Sequence, residues 1–176
     1  MDRWGGFPKV IKEVFPNASI VIDRFHVMKL VNKALNKFRL LLGFKGLKNR
    51  SLLLKNGTDL TQEEREELLR LCQKSPCLNR AYELKEEFRE IYETSTTVKI
   101  GQKRFKQWLT YARYFFSQTA QTIEKYLKEI CHYFINRTTS GAMEGLNNKI
   151  KLILRQSYGF SDFELMREKL LACLFK

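Results

Sequence analysis

The stretch FPNASIVIDRFHVMK, residues 15–29, decides the fold prediction for this chain. Ala18 to Ile22 is short, apolar and β-branched, which is typical of a buried strand that ends at Asp23. From Phe25 to about Leu42 the apolar residues recur at helical spacing, and Lys9 to Phe15 reads as a short amphipathic helix. Because a helix, a strand and a long helix follow one another, the stretch predicts a piece of an α/β layer.

The rest of the chain is predicted to be helical. Thr61-Gln-Glu-Glu is a capping box that starts a helix through about Gln73. Further helices are expected at about 78–92, 102–115, 118–134, 142–156 and 162–175. A single buried strand lacks partners for its backbone groups, so either the strand prediction is wrong or the rest of the sheet is missing from this chain.

Composition and charge narrow the class of protein. The chain has 176 residues, 44% hydrophobic residues and a net charge of +13. It therefore has room for one ordinary domain, or one domain with an insertion, and a disordered basic tail is excluded. Residues 1–55 hold 12 basic and 3 acidic side chains, whereas residues 56–98 hold 6 and 10. A folded domain this basic usually binds a polyanion, most often nucleic acid. The sequence has no signal-peptide or membrane-span pattern, so we expect a cytoplasmic protein.

The four cysteines do not suggest a zinc module. Cys72, Cys77, Cys131 and the neighbouring His132 could form a ligand set in principle. Their spacing fits no compact zinc motif, and Cys131 lies in an apolar helical run. Buried, reduced cysteines are therefore expected.

The first candidate site lies where the predicted strand gives way to a helix. Asp2, Asp23, Arg24 and His26 occur near the N-terminus, and the carboxyl ends of strands in α/β sheets are where active sites form. Asp23 is equally explained as the N-cap of the following helix. His26 is as well explained by an orienting or capping role as by a catalytic one.

The second candidate site is a polar stripe on the predicted helix 142–156. The stripe comprises Glu144, Asn147, Asn148, Lys151 and Arg155, at helical offsets of 0, 3, 4, 7 and 11. A carboxylate beside phosphate-binding groups makes sense if it holds a divalent metal ion for phosphoryl transfer, in which paired Mg²⁺ ions lie about 4 Å apart. The alternative is an exposed Glu on a DNA-facing helix.

Four motifs, two near each end of the chain, give it a family resemblance. The N-terminal motifs are Asp2-Arg-Trp-Gly-Gly and the DRFHV-x-K segment at 23–29. The C-terminal motifs are EGLNNKIK at 144–151 and YGFSDF at 158–163. With these motifs the chain resembles the bacterial insertion-sequence DDE transposases. The resemblance implies a fold that is mainly α here: the C-terminal part of a ribonuclease H-like α/β fold, with one remaining strand and a large helical insertion.

The resemblance also implies an active site and a domain layout. Asp2 would be the second catalytic Asp and Glu144 the third acidic residue, and both would hold Mg²⁺ or Mn²⁺. Residues 1–42 would be a remnant of the ribonuclease H-like core, 43–135 the helical insertion, and 136–176 the helices that carry the Glu. The family's first Asp lies before this chain begins, so we expect a truncated transposase that is inactive alone.

DNA is the partner that the resemblance implies. The side chains expected to bind transposon ends and target DNA are Arg24, His26, Lys29, Asn148, Lys149, Lys151 and Arg155. The chain would form an oligomer with itself or with an intact transposase. It would not bind a membrane, and it would act on DNA in the bacterial cytoplasm. Two alternatives stay open: a non-catalytic, basic helical DNA-binding or regulatory protein, and a basic helical module that binds RNA or ribosomes.

Overall fold

The computed structural model describes residues 13–14, 16–17, 19–137, 141–157 and 162–174, with the backbone alone at 142–144. The chain divides into two compact units, residues 1–138 and residues 139–176. Within the described ranges both units are helical, and no residue lies in a β-strand. The prediction of a mainly α chain is therefore confirmed.

The first unit contains eight described α-helices. They are α1 (Arg24–Leu41), α2 (Leu47–Leu54), α3 (Gln62–Gln73), α4 (Pro76–Thr94), α5 (Val98–Phe115), α6 (Ser117–Lys125), α7 (Leu127–Cys131) and α8 (Tyr133–Asn136). A 3-10 turn at Gly57–Asp59 precedes α3. The second unit contains α9 (Gly141–Gln156) and α10 (Phe163–Leu174).

Local capping signals set the helix starts. The hydroxyl of Thr61 accepts from the amide of Glu64 at 3.2 Å, and the Glu64 carboxylate accepts from the amide of Thr61 at 2.9 Å. The predicted capping box and the helix through Gln73 are therefore confirmed. The Ser75 hydroxyl accepts from the Leu78 amide, and Pro76 occupies the first turn of α4, where its missing N–H costs nothing.

The predicted strand at 18–22 does not form in the described residues, which begin there at Ser19. The segment before α1 instead lies against the end of α7, because its polar backbone groups find partners there. The amide of Ile22 donates to the carbonyl of Glu129 at 3.1 Å, and Nδ1 of His132 donates to the carbonyl of Ile20 at 2.8 Å. The single helix expected at 118–134 is divided into α6, α7 and α8, and the α7–α8 break lies at this docked segment.

One apolar core joins α1 to the helices of residues 43–135. Val27, Val31 and Leu35 of α1 are buried in it. The ring of Phe38 meets those of Phe115 and Phe116 at 5.5 and 6.4 Å between centroids. Between α4, α5 and α8 lies an aromatic cluster, comprising Phe88, Tyr92, Phe105, Trp108, Tyr133 and Phe134. Helix α1 is thus an integral part of this helical unit.

A buried arginine shapes the connection from α1 to α2. Nε of Arg39 donates to Oδ1 of Asn36 at 2.8 Å, and its Nη1 donates to the carbonyls of Phe44 and Gly46. Arg39 is 3% exposed, and its burial, with the nearby charge of Arg50, lowers the pKa of its guanidinium. The turn at 42–46 is therefore held by side-chain hydrogen bonds rather than by apolar packing alone.

The second unit is a helix pair with little core of its own. Ile153 of α9 is buried, and Leu146, Ile150 and Leu154 on the same side of the helix are half-buried. Helix α10 has no buried residue, although Phe163, Leu165 and Leu171 are large and apolar.

Candidate functional site

Asp23 caps the N-terminus of α1. Its Oδ1 accepts from the amide of Phe25 at 2.8 Å and from the amide of His26 at 3.4 Å. The backbone of Asp23 is extended, with φ of −60° and ψ of 132°, as an N-cap requires. The capping interpretation of Asp23 is therefore confirmed.

Two predicted DNA-binding residues at this helix start already have partners in the protein. Nδ1 of His26 lies 3.4 Å from Oδ1 of Asp23, so the cap orients the imidazole. Nη2 of Arg24 pairs with Oε1 of Glu93 at 2.9 Å, and its guanidinium lies 5.6 Å from the centre of the Tyr92 ring. Arg24 therefore ties the start of α1 to the end of α4, and its DNA contact stays a prediction.

Lys29, the third predicted DNA-binding residue of α1, belongs to a longer row. Lys29, Lys33 and Lys37 are all exposed and follow one another at four-residue spacing, so they lie along the face of α1 opposite its buried side. Helix α1 contains no acidic residue. The DRFHV-x-K motif includes only Lys29, whereas the four-residue spacing in the sequence is the signal that identifies Lys33 and Lys37.

Helix α9 presents the second group of predicted DNA-binding side chains. Asn148, Lys149, Lys151 and Arg155 are all exposed. Asn148, Lys151 and Arg155 lie on the side of α9 away from buried Ile153, as the periodicity predicts. Lys149 is four residues before Ile153 and lies nearer the buried side. The helix starts at Gly141, so Glu144 lies in its first turn. The arrangement can hold the phosphates of a nucleic-acid backbone along α9.

The two predicted catalytic carboxylates stand differently. Asp2 lies outside the described residues. For Glu144 the structure describes only the backbone, which lies on α9. Among the described residues no three His, Cys, Asp or Glu side chains group closely enough to hold a metal ion. As a donor set, two carboxylates offer the hard oxygen ligands that Mg²⁺ and Mn²⁺ prefer.

All four cysteines are free thiols, and the prediction that they are buried holds for two of them and is wrong for Cys77 and Cys173. Cys72 and Cys131 are buried, and burial raises the pKa of each thiol to about 11. Cys77 and Cys173 are exposed. Nδ1 of His132 donates to the carbonyl of Ile20.

None of the described helices is both long enough and apolar enough to span a membrane.

Comparison with known proteins identifies relatives. A family model described as a transposase, of the ISL3 group with the DDE motif, matches residues 1–170. The transposase for insertion sequence element IS1557 of Mycobacterium tuberculosis (strain CDC 1551 / Oshkosh) is 30% identical over 115 residues, which are 63% of this chain and 26% of that protein. The corresponding transposase of strain ATCC 25618 / H37Rv matches equally. The match thus spans about a quarter of the length of these relatives, and no solved structure matches the chain.

Proposed function

The chain belongs to the ISL3 family of DDE transposases, and on that premise we propose that it supplies part of a transposase active site. In this proposal Asp2 and Glu144 are two of three metal-binding carboxylates. The first Asp comes from another segment, in the same polypeptide or in a second one. Cleavage and strand transfer by these 176 residues therefore depend on that segment.

The proposed layout follows the sequence boundaries. Residues 1–42 and 136–176 belong to a ribonuclease H-like catalytic domain, and residues 43–135 form the helical insertion between the second Asp and the Glu. The scarcity of buried residues in α9 and α10 supports this layout, because a helix pair that buries so little needs a further apolar layer. Since α1 packs into the helical core, residues 1–42 would be joined to the insertion through that helix.

The observation that carries the proposal is the exposed polar face of α9. Glu144 lies in the first turn of that helix, and Asn148, Lys151 and Arg155 follow it at helical spacing. Cationic and amide groups along the helix would hold the DNA backbone without reading its bases. The same helix would then position both the metal-binding carboxylate and the strand on which it acts.

The chain's own residues set up a phosphoryl transfer. Bound Mg²⁺ would supply a Lewis acid that lowers the pKa of the attacking oxygen and stabilises the leaving one. Asp2 and Glu144 would hold the metal ions with their carboxylate oxygens. The cationic side chains of Lys149, Lys151 and Arg155 would fix the phosphates on either side of the scissile bond. The attacking oxygen would then be directed at one phosphorus atom.

The partners and the location follow from the reaction. Transposon-end and target DNA are the proposed substrates, and the chain would act as an oligomer with itself or with an intact transposase. Its place of action would be the bacterial nucleoid, in the cytoplasm. The alternative function is a DNA-binding regulator that joins a transposase oligomer. It would apply if the chain binds DNA without contributing to cleavage.

Cleavage of transposon-end DNA tests the proposal. Residues 1–176 with Mg²⁺ and end DNA should give no cleavage, and cleavage should appear when a segment carrying the first Asp is added. Robust cleavage by residues 1–176 alone would contradict the proposal that this chain supplies only two of the three metal-binding carboxylates. A gel shift without cleavage under either condition would favour the regulator.

A further inference from the structure

We propose that the row of Lys29, Lys33 and Lys37, hereafter the α1 lysine row, is a second DNA-binding surface that holds the phosphate backbone of a duplex. The inference rests on the proposed function for the choice of DNA as the polyanion. It adds a surface on the helical unit, separate from the polar face of α9.

The dimensions of the row suit a nucleic-acid backbone. Eight residues of α-helix separate Lys29 from Lys37, a rise of about 12 Å. A duplex carries one phosphate for about every 1.7 Å of its axis, so about seven phosphates lie along that distance. Three ammonium groups spaced about 6 Å apart can therefore each meet a different phosphate.

No acidic side chain of the described residues neutralises the charges of the row. None of the three lysines forms an ion pair with another described residue, whereas Lys48 pairs with Glu67 and Lys55 pairs with Glu64. Helix α1 itself has no acidic residue. Lysines kept apart from carboxylates, on the face opposite the core, can neutralise the phosphates of a polyanion and displace its condensed counterions into solution.

A groove runs beside the row and adds neutral donors. It has a volume of about 530 Å³ and lies between α1 and the start of α6. Lys33 and Lys37 line one wall, and Ser117, Gln118 and Thr119 line the other. No acidic side chain among the residues that the structure describes lines it. Hydroxyl and amide groups opposite two lysines provide the mixture of contacts that proteins make to phosphate and sugar.

The aromatic residues of the groove favour a duplex over an unpaired strand. Single-strand binding relies on exposed ring faces on which bases stack. Here the ring of Phe38 stands edge-on to those of Phe115 and Phe116, at interplanar angles of 67° and 90°. Phe116 is buried and Phe38 and Phe115 are half-buried, so these rings do not form a row of fully exposed faces for stacking. We therefore assign the row to the backbone of a duplex.

A charge-matched pair of variants tests the inference. The first carries Lys29→Gln, Lys33→Gln and Lys37→Gln; the control carries Lys99→Gln, Lys103→Gln and Lys106→Gln, which remove three exposed lysines from α5. Gln has nearly the helix propensity of Lys, so both variants should keep the helical circular-dichroism spectrum of the parent chain. Binding of residues 1–176 to a 25-base-pair duplex is measured by fluorescence anisotropy across a salt series.

The α1 variant should bind the duplex at least 10-fold more weakly at 100 mM salt. Its slope of log affinity against log salt should be shallower by about 2.7, at about 0.9 for each phosphate contact, and each single α1 substitution should remove about 0.9. The α5 control should change the slope by less than 1. Equal losses in both triple variants, or an unchanged slope in the single α1 variants, would overturn the inference. A greater loss for a 25-nucleotide single strand than for the duplex would overturn the assignment to a duplex.

Failure here is distinguishable from failure of the proposed function. If Glu144→Gln left end cleavage intact, the proposed catalytic role would fall while the salt series could still identify the α1 lysine row. If the salt series gave no difference between α1 and α5, the row would fall while the catalytic role stood.

Discussion

Gly101 of α5 lies directly against the ring of Phe134 in α8. A Cβ atom added to Gly101 would lie 2.1 Å from Cε2 and 2.5 Å from Cδ2 of that ring. The glycine therefore has a packing function: it lets α5 approach the aromatic cluster closely, and Phe105 and Phe134 lie 6.1 Å apart between ring centroids beside it.

Gly101→Ala should destabilise the first unit. Phe134 is buried, so its ring has no room to move aside, and overpacking of this kind costs about 1–3 kcal/mol. The matched control is Gly145→Ala on α9, where nothing lies within 4 Å of the added Cβ and the helix should gain up to about 1 kcal/mol. Urea unfolding followed by circular dichroism measures both. Equal stability of Gly101→Ala and the parent chain would show that the α5–α8 contact is looser than described.

Two substitutions at Asp23 separate its capping role from chemistry. Asp23→Ala removes the acceptor for the amides of Phe25 and His26 and should cost about 1 kcal/mol of unfolding free energy. Asp23→Asn keeps an N-cap oxygen and should stay within about 0.5 kcal/mol of the parent chain. Thermal unfolding of the two variants gives the comparison. A loss from Asp23→Asn as large as that from Asp23→Ala would mean that the negative charge, rather than the cap, is what matters.

The thiols should fall into two classes. Burial raises the pKa of Cys72 and Cys131 to about 11, so at pH 8 only about one in a thousand of these thiols is ionised. Because the thiolate is the reactive form, a maleimide should modify exposed Cys77 and Cys173 in the folded chain. All four should react in denaturant. Mass spectrometry of the labelled chain counts them, and four labels on the folded chain would contradict the burial of Cys72 and Cys131.

Arg39→Lys should destabilise the turn after α1. A lysine keeps the charge but cannot replace the guanidinium fork that reaches Asn36 and the carbonyl of Phe44. We expect a loss of about 2 kcal/mol, since buried partners lose hydrogen bonds from a charged donor. Arg50→Lys, at an exposed position of α2, should change stability by less than about 0.5 kcal/mol. If the two variants unfolded at the same urea concentration, Arg39 would not organise this turn.

The sequence predicted those features that local signals determine. The spacing of Val27, Val31 and Leu35 placed α1, and the Thr61 capping box placed α3, because both depend on residues within a few positions of one another. The exposed side of α9 followed from its periodicity in the same way.

Features that depend on distant partners were not predictable. A strand needs a neighbour, and the apolar run ending at Ile22 meets the carbonyl of Glu129, more than a hundred residues away. The same docking explains why the helix predicted at 118–134 is interrupted beyond Cys131. Gly101 carried no signal either, since the demand for a glycine comes from the ring of Phe134.

The central claim, that Glu144 is a metal-binding carboxylate of a transposase, is tested most directly by Glu144→Gln in Mg²⁺-dependent cleavage of transposon-end DNA. The reaction is reconstituted with the segment that carries the first Asp. Glu168→Gln, an exposed position on α10, is the control for the same change of charge. We predict that Glu144→Gln lowers the cleavage rate at least about 100-fold, as loss of a metal ligand should, while Glu168→Gln leaves it unchanged. A cleavage rate for Glu144→Gln within a few-fold of the parent chain would contradict the account.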